Sequence, residues 1–274
     1  HIGVFGSQEI IASAKSEMVK NLESSKIAIL GSYDDLTINM KKLTKAKVVT
    51  FGENSNNDVR ATDVEIREGF AHFDLVTSFG RESVALRQAG RHQVANALAA
   101  AAIATALNMP IDKISAGLST AESSSKWRME LHEIAGRLII NDSYNANPES
   151  MFAALDSLRL FAQERGGRAW AFLGKMHELG DYSLIGHREV ARRARDLEID
   201  HLVAIGIKEY LIESESGSTE IVFVENIESA REIATGSEAG DVILIKGSRA
   251  EGLEKLAELL IGDLNDLPMN ESEG

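Results

Sequence analysis

Apolar residues along this chain fall into helix-spaced stripes and short strand-like runs, and the order in which the two follow each other changes near residue 123. Ile10, Ile11, Ala14, Met18, Val19 and Leu22 recur at helical spacing, which predicts an opening helix with one apolar stripe. Apolar runs at 26–30 and 48–51 read as buried strands, and 59–66, 73–77 and 83–86 as shorter strands with turns between them. The alanine-rich stretch 93–107 predicts a helix that lets other elements pack closely, and Pro110-Ile111-Asp112 opens another. Ser123-Ser124-Ser125 reads as a linker and places a boundary between domains 1–122 and 123–274.

Beyond the linker the two kinds of element alternate. Ala135-Gly136 predicts a hairpin turn. After it, expected helices at 148–165, 184–197, 207–212, 227–235 and 251–261 alternate with expected strands at 169–173, 201–205, 221–224 and 242–246. Such alternation implies a mostly parallel sheet covered on both faces, so the class is α/β. The polar stretch 264–274 is expected to fray.

Composition narrows the function. At 274 residues the chain has room for about two domains with real cores. It has no cysteine, which excludes a disulfide framework. No apolar run is long enough to span a bilayer, and no signal peptide opens the chain. A net charge of −13 without a basic face argues against nucleic-acid binding. A soluble cytoplasmic protein, monomeric and independent of membranes, is expected.

Polar residues concentrate in the string Asn141-Asp142-Ser143-Tyr144-Asn145-Ala146-Asn147-Pro148-Glu149-Ser150. It follows the strand-like Leu138-Ile139-Ile140 and precedes a helix, where open α/β sheets place ligands. Asn147 suits a helix cap and Pro148 its first position. A capped loop accounts for those two, but not for Asp142, Tyr144 and Asn145 in the same turn. The string resembles the N-D-[AS]-Y-N-A-N-P-x-S signature of Mur ligases of the D-alanyl-D-alanine-adding type.

That resemblance extends over nearly the whole chain. Its fold expectation is the later part of a central ATP-binding domain followed by a Rossmann-like ligase domain. Ala12-Ser13-Ala14-Lys15 resembles the family's A-x-x-K helix, whose lysine is carbamylated. Carbamylation needs a neutral amine, which partial burial along the stripe of Ile11, Met18 and Val19 favours. Read from spacing alone, Lys15 is a lysine snorkelling from a helix edge. His1 corresponds to the family's Mg²⁺-binding histidine, and carbamylated Lys15 to its partner at the metal.

Gly90-Arg91-His92-Gln93-Val94-Ala95-Asn96 resembles the family's G-x-H-N-x-x-N motif, with Gln93 in place of the first asparagine. It implies a catalytic His92 and an adenine-binding Asn96; the plain alternative is a polar helix start. Lys126-Trp127-Arg128-Met129-Glu130 resembles the R-M-E segment, which makes Arg128 a ligand of ATP phosphate; the alternative is a structural ion pair. Asp142 corresponds to a ribose-binding aspartate. Lys246-Gly247-Ser248-Arg249 matches K-G-S-R. Tyr144, Asn145, Asn147, Lys246 and Ser248 are therefore expected around the acceptor. Leu173-Gly174-Lys175-Met176-His177-Glu178-Leu179-Gly180 matches L-G-D-M-x-E-L-G with Lys175 replacing the acid.

The chain contains no G-x-x-x-x-G-K-[ST] phosphate loop. A fragment beginning inside the ATPase domain, inactive alone, is the resulting expectation. The parent activity implied is ATP- and Mg²⁺-dependent joining of D-alanyl-D-alanine to UDP-N-acetylmuramoyl-tripeptide through an acyl phosphate. Two alternatives stand beside it: a non-catalytic nucleotide- or dipeptide-binding module, and a ligase adding glutamate to a folate.

Overall fold

A computed structural model of the chain describes residues 3, 6–122, 125–212 and 219–265. His1 and most of the 264–274 stretch lie outside the described residues. The chain divides into two compact units, 1–122 and 123–274.

The first unit opens with helix α1 (Gln8–Lys20), then strand β1 (Ile27–Gly31), a short helix α2 (Asp35–Asn39) with a 3₁₀ turn behind it, and β2 (Lys47–Gly52). Strands β3 (Val59–Arg67), β4 (Phe70–Thr77) and β5 (Gly80–Ala89) follow, then helices α3 (Gln93–Ala106) and α4 (Ile111–Thr120). The sheet order is β1-β2-β3-β4-β5, parallel across the first three strands and antiparallel thereafter. Strand β4 alternates between half-buried and buried side chains, the period-two signature of a one-sided sheet. Its buried Phe73 and Leu75 join Val59, Val84 and the Val94–Leu98–Ala101–Ala102 face of α3 in one core. The alanines let that helix sit close on the strands.

One element of this unit was not foreseen, and one expectation changes. Helix α2 was not legible, because five residues held by an Asp34 cap carry too little periodicity. The stripe of α1 is not buried as a whole: Ile10 is 52% exposed and Met18 77%. The helix instead turns Ile11, Ser16 and Val19 inward, and Lys15 is exposed.

The second unit contains β6 (Glu130–Ile134), β7 (Arg137–Asp142), α5 (Pro148–Arg165), β8 (Ala169–Leu173), α6 (Ser183–Asp196), β9 (His201–Ile205), β10 (Glu220–Val224), α7 (Ile227–Ala234), β11 (Val242–Lys246) and α8 (Glu254–Asn265). Ala135 and Gly136 both take positive φ, 48° and 74°, which a two-residue turn with the twist of its strands requires. The sheet order is β10-β9-β8-β11-β7-β6, and only β6 runs antiparallel. β8 and β11 are buried along their length. Alternate side chains of β8 serve two layers: Trp170 and Phe172 pack with α7 and α8, while the small alanines face α5.

No helix forms at 207–212; a turn stands there, with Leu211 N–H on the Lys208 carbonyl at 2.9 Å. Ile207 and Tyr210 are both buried, and the Tyr210 hydroxyl donates to the Gly174 carbonyl at 2.9 Å. These anchors outweigh a helix too short to repay its nucleation. The last helix also starts later than expected, because Gly252 in a left-handed conformation ends a 3₁₀ turn at Arg249–Glu251 before α8 begins. Among the described residues no helix is long and apolar enough to cross a membrane.

Candidate functional site

The order of the second sheet determines where its ligands can go. The chain passes from β7 through α5 to β8, yet β11 lies between those two strands. A crevice at the carboxyl ends of β7, β11 and β8 is the binding place such a switch creates. Lys246 pairs in register with Asp142 on one side and Leu173 on the other. Gly174 and Gly247 follow these strands, and a Cβ on Gly247 would lie 3.3 Å from the Gly174 Cα, so the two loops approach as close as bare backbone allows.

Lys246 is 2% exposed. Its Nζ donates to Asp142 Oδ2 at 2.6 Å and to the Asn145 carbonyl at 2.9 Å. Asp142 Oδ1 accepts from Met129 N–H at 3.2 Å. The amine thus clamps the polar string onto the central strand, and one of its three protons stays uncommitted. Buried Ser143 donates to Asn141 Oδ1 at 2.7 Å, bracing the same loop. Buried Ser248 accepts from His177 N–H at 2.9 Å, and its own N–H donates to the Lys175 carbonyl at 3.0 Å. Asn147 is committed to structure: its Oδ1 accepts from Ser150 N–H at 2.8 Å, and Ser150 reciprocates in a capping box.

Trp127 and Met129 flank Arg128 with φ of 62° and 49°, a left-handed conformation costly for both. Tyr144 N–H bonds to the Trp127 carbonyl at 3.0 Å. Arg128 Cζ then lies 4.1 Å from the Tyr144 ring centre. Asp142, Tyr144, Asn145, Ser248 and Arg128 are therefore brought together with Lys246.

The loop after β8 is set by two residues that no motif signalled. His187 is fully buried; its Nε2 accepts from Met176 N–H at 2.9 Å, so Nδ1 carries the proton and donates to the Ser183 carbonyl at 2.6 Å. Burial pushes this imidazole below its ordinary range. Tyr210 is the second, as described above. A lone histidine within a helix and a lone tyrosine in a loop carry no spacing signal.

In the first unit, His92 and Asn96 both lie exposed at the start of α3, and Asn96 Nδ2 donates to Gln93 Oε1 at 2.9 Å. Asn96 lines a cavity of about 250 Å³ with Gln93, Ala97, Leu86 and Leu118. Arg91 forks onto Glu53 at 3.1 and 2.5 Å. Tyr33 is pushed up to about 12 by burial and by Glu53. Lys15 lacks the partial burial expected of it. Among the described residues no three His, Cys, Asp or Glu side chains gather as a metal set, so these residues alone do not fit Mg²⁺. His1, the other expected metal ligand, lies outside them.

Comparison with known proteins agrees with both units. The Mur ligase middle domain profile matches residues 1–104, and the profile described as Mur ligase, glutamate ligase domain matches 127–249. The chain belongs to the Mur ligase family. It is 34% identical over 286 residues to the UDP-N-acetylmuramoyl-tripeptide--D-alanyl-D-alanine ligase of Mycobacterium tuberculosis, covering 96% of this chain and 56% of that protein. A crystal structure of MurF from Acinetobacter baumannii superposes with a TM-score of 0.84 at 32% identity, over 96% of this chain and 57% of that one. The MurF ligase of Thermotoga maritima, solved in complex with ADP, gives 0.81 at 25% identity, over 98% and 60%. The chain thus spans a little over half the length of these Mur ligases.

Proposed function

We propose that the protein carrying this chain is an ATP-dependent ligase that joins D-alanyl-D-alanine to UDP-N-acetylmuramoyl-tripeptide in peptidoglycan synthesis. The observation that carries this reading is the convergence of two family strings, 104 positions apart, in the bonds from Lys246 to Asp142 and Asn145. The relatives named above favour it over glutamate addition to a folate.

The chemistry runs in two steps. A carboxylate oxygen of the tripeptide attacks the terminal phosphorus of ATP, and the bond to ADP breaks. The free amine of the dipeptide then attacks the acyl carbon, an amide forms, and phosphate leaves. Activation is needed because a bare carboxylate oxygen is a poor leaving group. Both steps pass through concentrated negative charge, which prearranged cations and N–H donors stabilise. Arg128, held by its strained turn and the Tyr144 face, supplies a fork suited to phosphate. Asp142 keeps acceptor capacity for ribose hydroxyls beyond its two bonds in the fold. Asn96, in its small partly apolar cavity, suits the flat face and polar edge of a purine. The Lys246 clamp shapes the Asp142–Asn145 turn, and Ser248 has a hydroxyl proton to give the acceptor. His92 stands at the start of the helix that carries Asn96, and its role follows the family motif alone.

The test is complementation: the complete reading frame is expressed in a bacterium depleted of its own D-alanyl-D-alanine-adding ligase, and the UDP-linked precursors are weighed. Accumulation of the pentapeptide precursor is expected. Growth failure with tripeptide remaining, or a different residue added, would sink the reading.

A further inference from the structure

Two guanidinium groups at the carboxyl ends of β7 and β11 have no acidic partner among the described residues. Arg128 Cζ lies 4.1 Å from the Tyr144 ring centre; Arg249 Cζ lies 4.8 Å from Trp127 and 5.5 Å from the same Tyr144. Several other arginines of this unit answer to acids, among them Arg168 to Asp241 at 2.8 Å and Arg165 to Glu133 at 2.7 Å. Two like charges over one ring repel each other, and aromatic faces offset only part of that. Stacking occupies the flat face of a guanidinium and leaves its N–H edge to the outside, the edge that binds an oxyanion two-pronged. Arg249 is exposed.

The neighbours say which anion. Arg249 follows directly on Ser248, whose hydroxyl accepts from His177 and has its own proton left to donate. Lys246, the other cation of the string, already spends two protons inside the fold and is 2% exposed. A carboxylate arriving at Ser248 therefore meets Arg249, the next residue along the chain, as an exposed countercharge.

We infer that Arg249, held over Trp127 and Tyr144, binds the carboxylate of the incoming dipeptide, and that Lys246 acts on it only by positioning the loop. This rests on the acceptor reading above. It makes Arg249 the residue that distinguishes a free carboxyl terminus from a blocked one.

The test uses the chain as it stands, with ¹⁵N-labelled arginine side-chain signals followed during titration with D-alanyl-D-alanine, with its C-terminal amide, and with inorganic phosphate. The unaltered chain is expected to hold the dipeptide at least tenfold more tightly than the amide. Arg249→Ala should bring the two within about twofold, and Arg249→Lys should restore part of the gap. Tyr144→Leu, which keeps the charge but removes a stacking face, should lower affinity for the dipeptide by a larger factor than for the amide. A preference that survives Arg249→Ala overturns the inference while leaving the acceptor reading intact. So does phosphate moving the Arg249 signal when the dipeptide binds without moving it. Failure of the unaltered chain to bind the dipeptide at all would overturn both.

Discussion

A lysine amine sealed from water must have its charge met inside the fold, and Lys246 meets it with one carboxylate and one carbonyl. That bond set is structural before it is functional. Removing one member of a buried pair leaves the other charge unmet and costs about 3 kcal/mol. Lys246→Met should therefore lower the unfolding free energy of the second unit by that much and move its urea midpoint down, with Asp142 left 15% exposed beside an apolar side chain. Lys246→Met combined with Asp142→Leu should recover most of the loss, because both charges are then gone. An unchanged midpoint in the single variant would remove the clamp from the account. At the same scale, the Asn147 side-chain oxygen is already engaged, holding the Ser150 N–H.

At the scale of the element, the start of α5 and the loop after β8 carry the site, and each has its own support. The α5 capping box satisfies two helix-end N–H groups, so Asn147→Ala should cost about 1 kcal/mol in thermal or urea unfolding. Asn147→Asp, which keeps the acceptor, should cost much less; equal losses would mean the cap is not the cause. The β8 loop depends on a neutral His187. Burial lowers its folded pKa beneath the unfolded value near 6.5, against the smaller opposing pull of the Ser183 carbonyl. The unfolded chain then takes up a proton that the folded chain refuses. Stability from this group is full above about pH 6.5 and is lost as pH falls from there through the lowered folded value. Urea midpoints measured between pH 7.5 and 5.5 should drop more steeply in the unaltered chain than in His187→Gln. Parallel slopes would contradict the assignment.

For the whole molecule, two separate sheets with separate cores predict two unfolding events. Calorimetry of the chain should resolve two transitions. The segment 123–274 expressed alone should reproduce one of them within a few degrees, since its six-stranded sheet is covered on both faces from within. A single transition, together with an unfolded isolated segment, would show that the units depend on each other for stability.

Much of this was legible along the chain. Strand 242–246 is where its unbroken apolar run put it, and the α5 start is where Asn147 and Pro148 put it, because buried runs and caps are local signals. The family likewise declared itself in strings of adjacent residues. What remained hidden was pairwise and distant. No local pattern says that β11 inserts between β7 and β8, so none says that Lys246 spends its charge on Asp142 while Arg249 stays exposed. The face that α1 turns inward was equally undetermined, since a stripe of spaced apolar residues shows what can be buried and not what stands against it. His187 and Tyr210 act through single bonds to backbone atoms far along the chain. Periodicity depends on neighbours in sequence; those bonds depend on neighbours in space, and only the folded chain sets them.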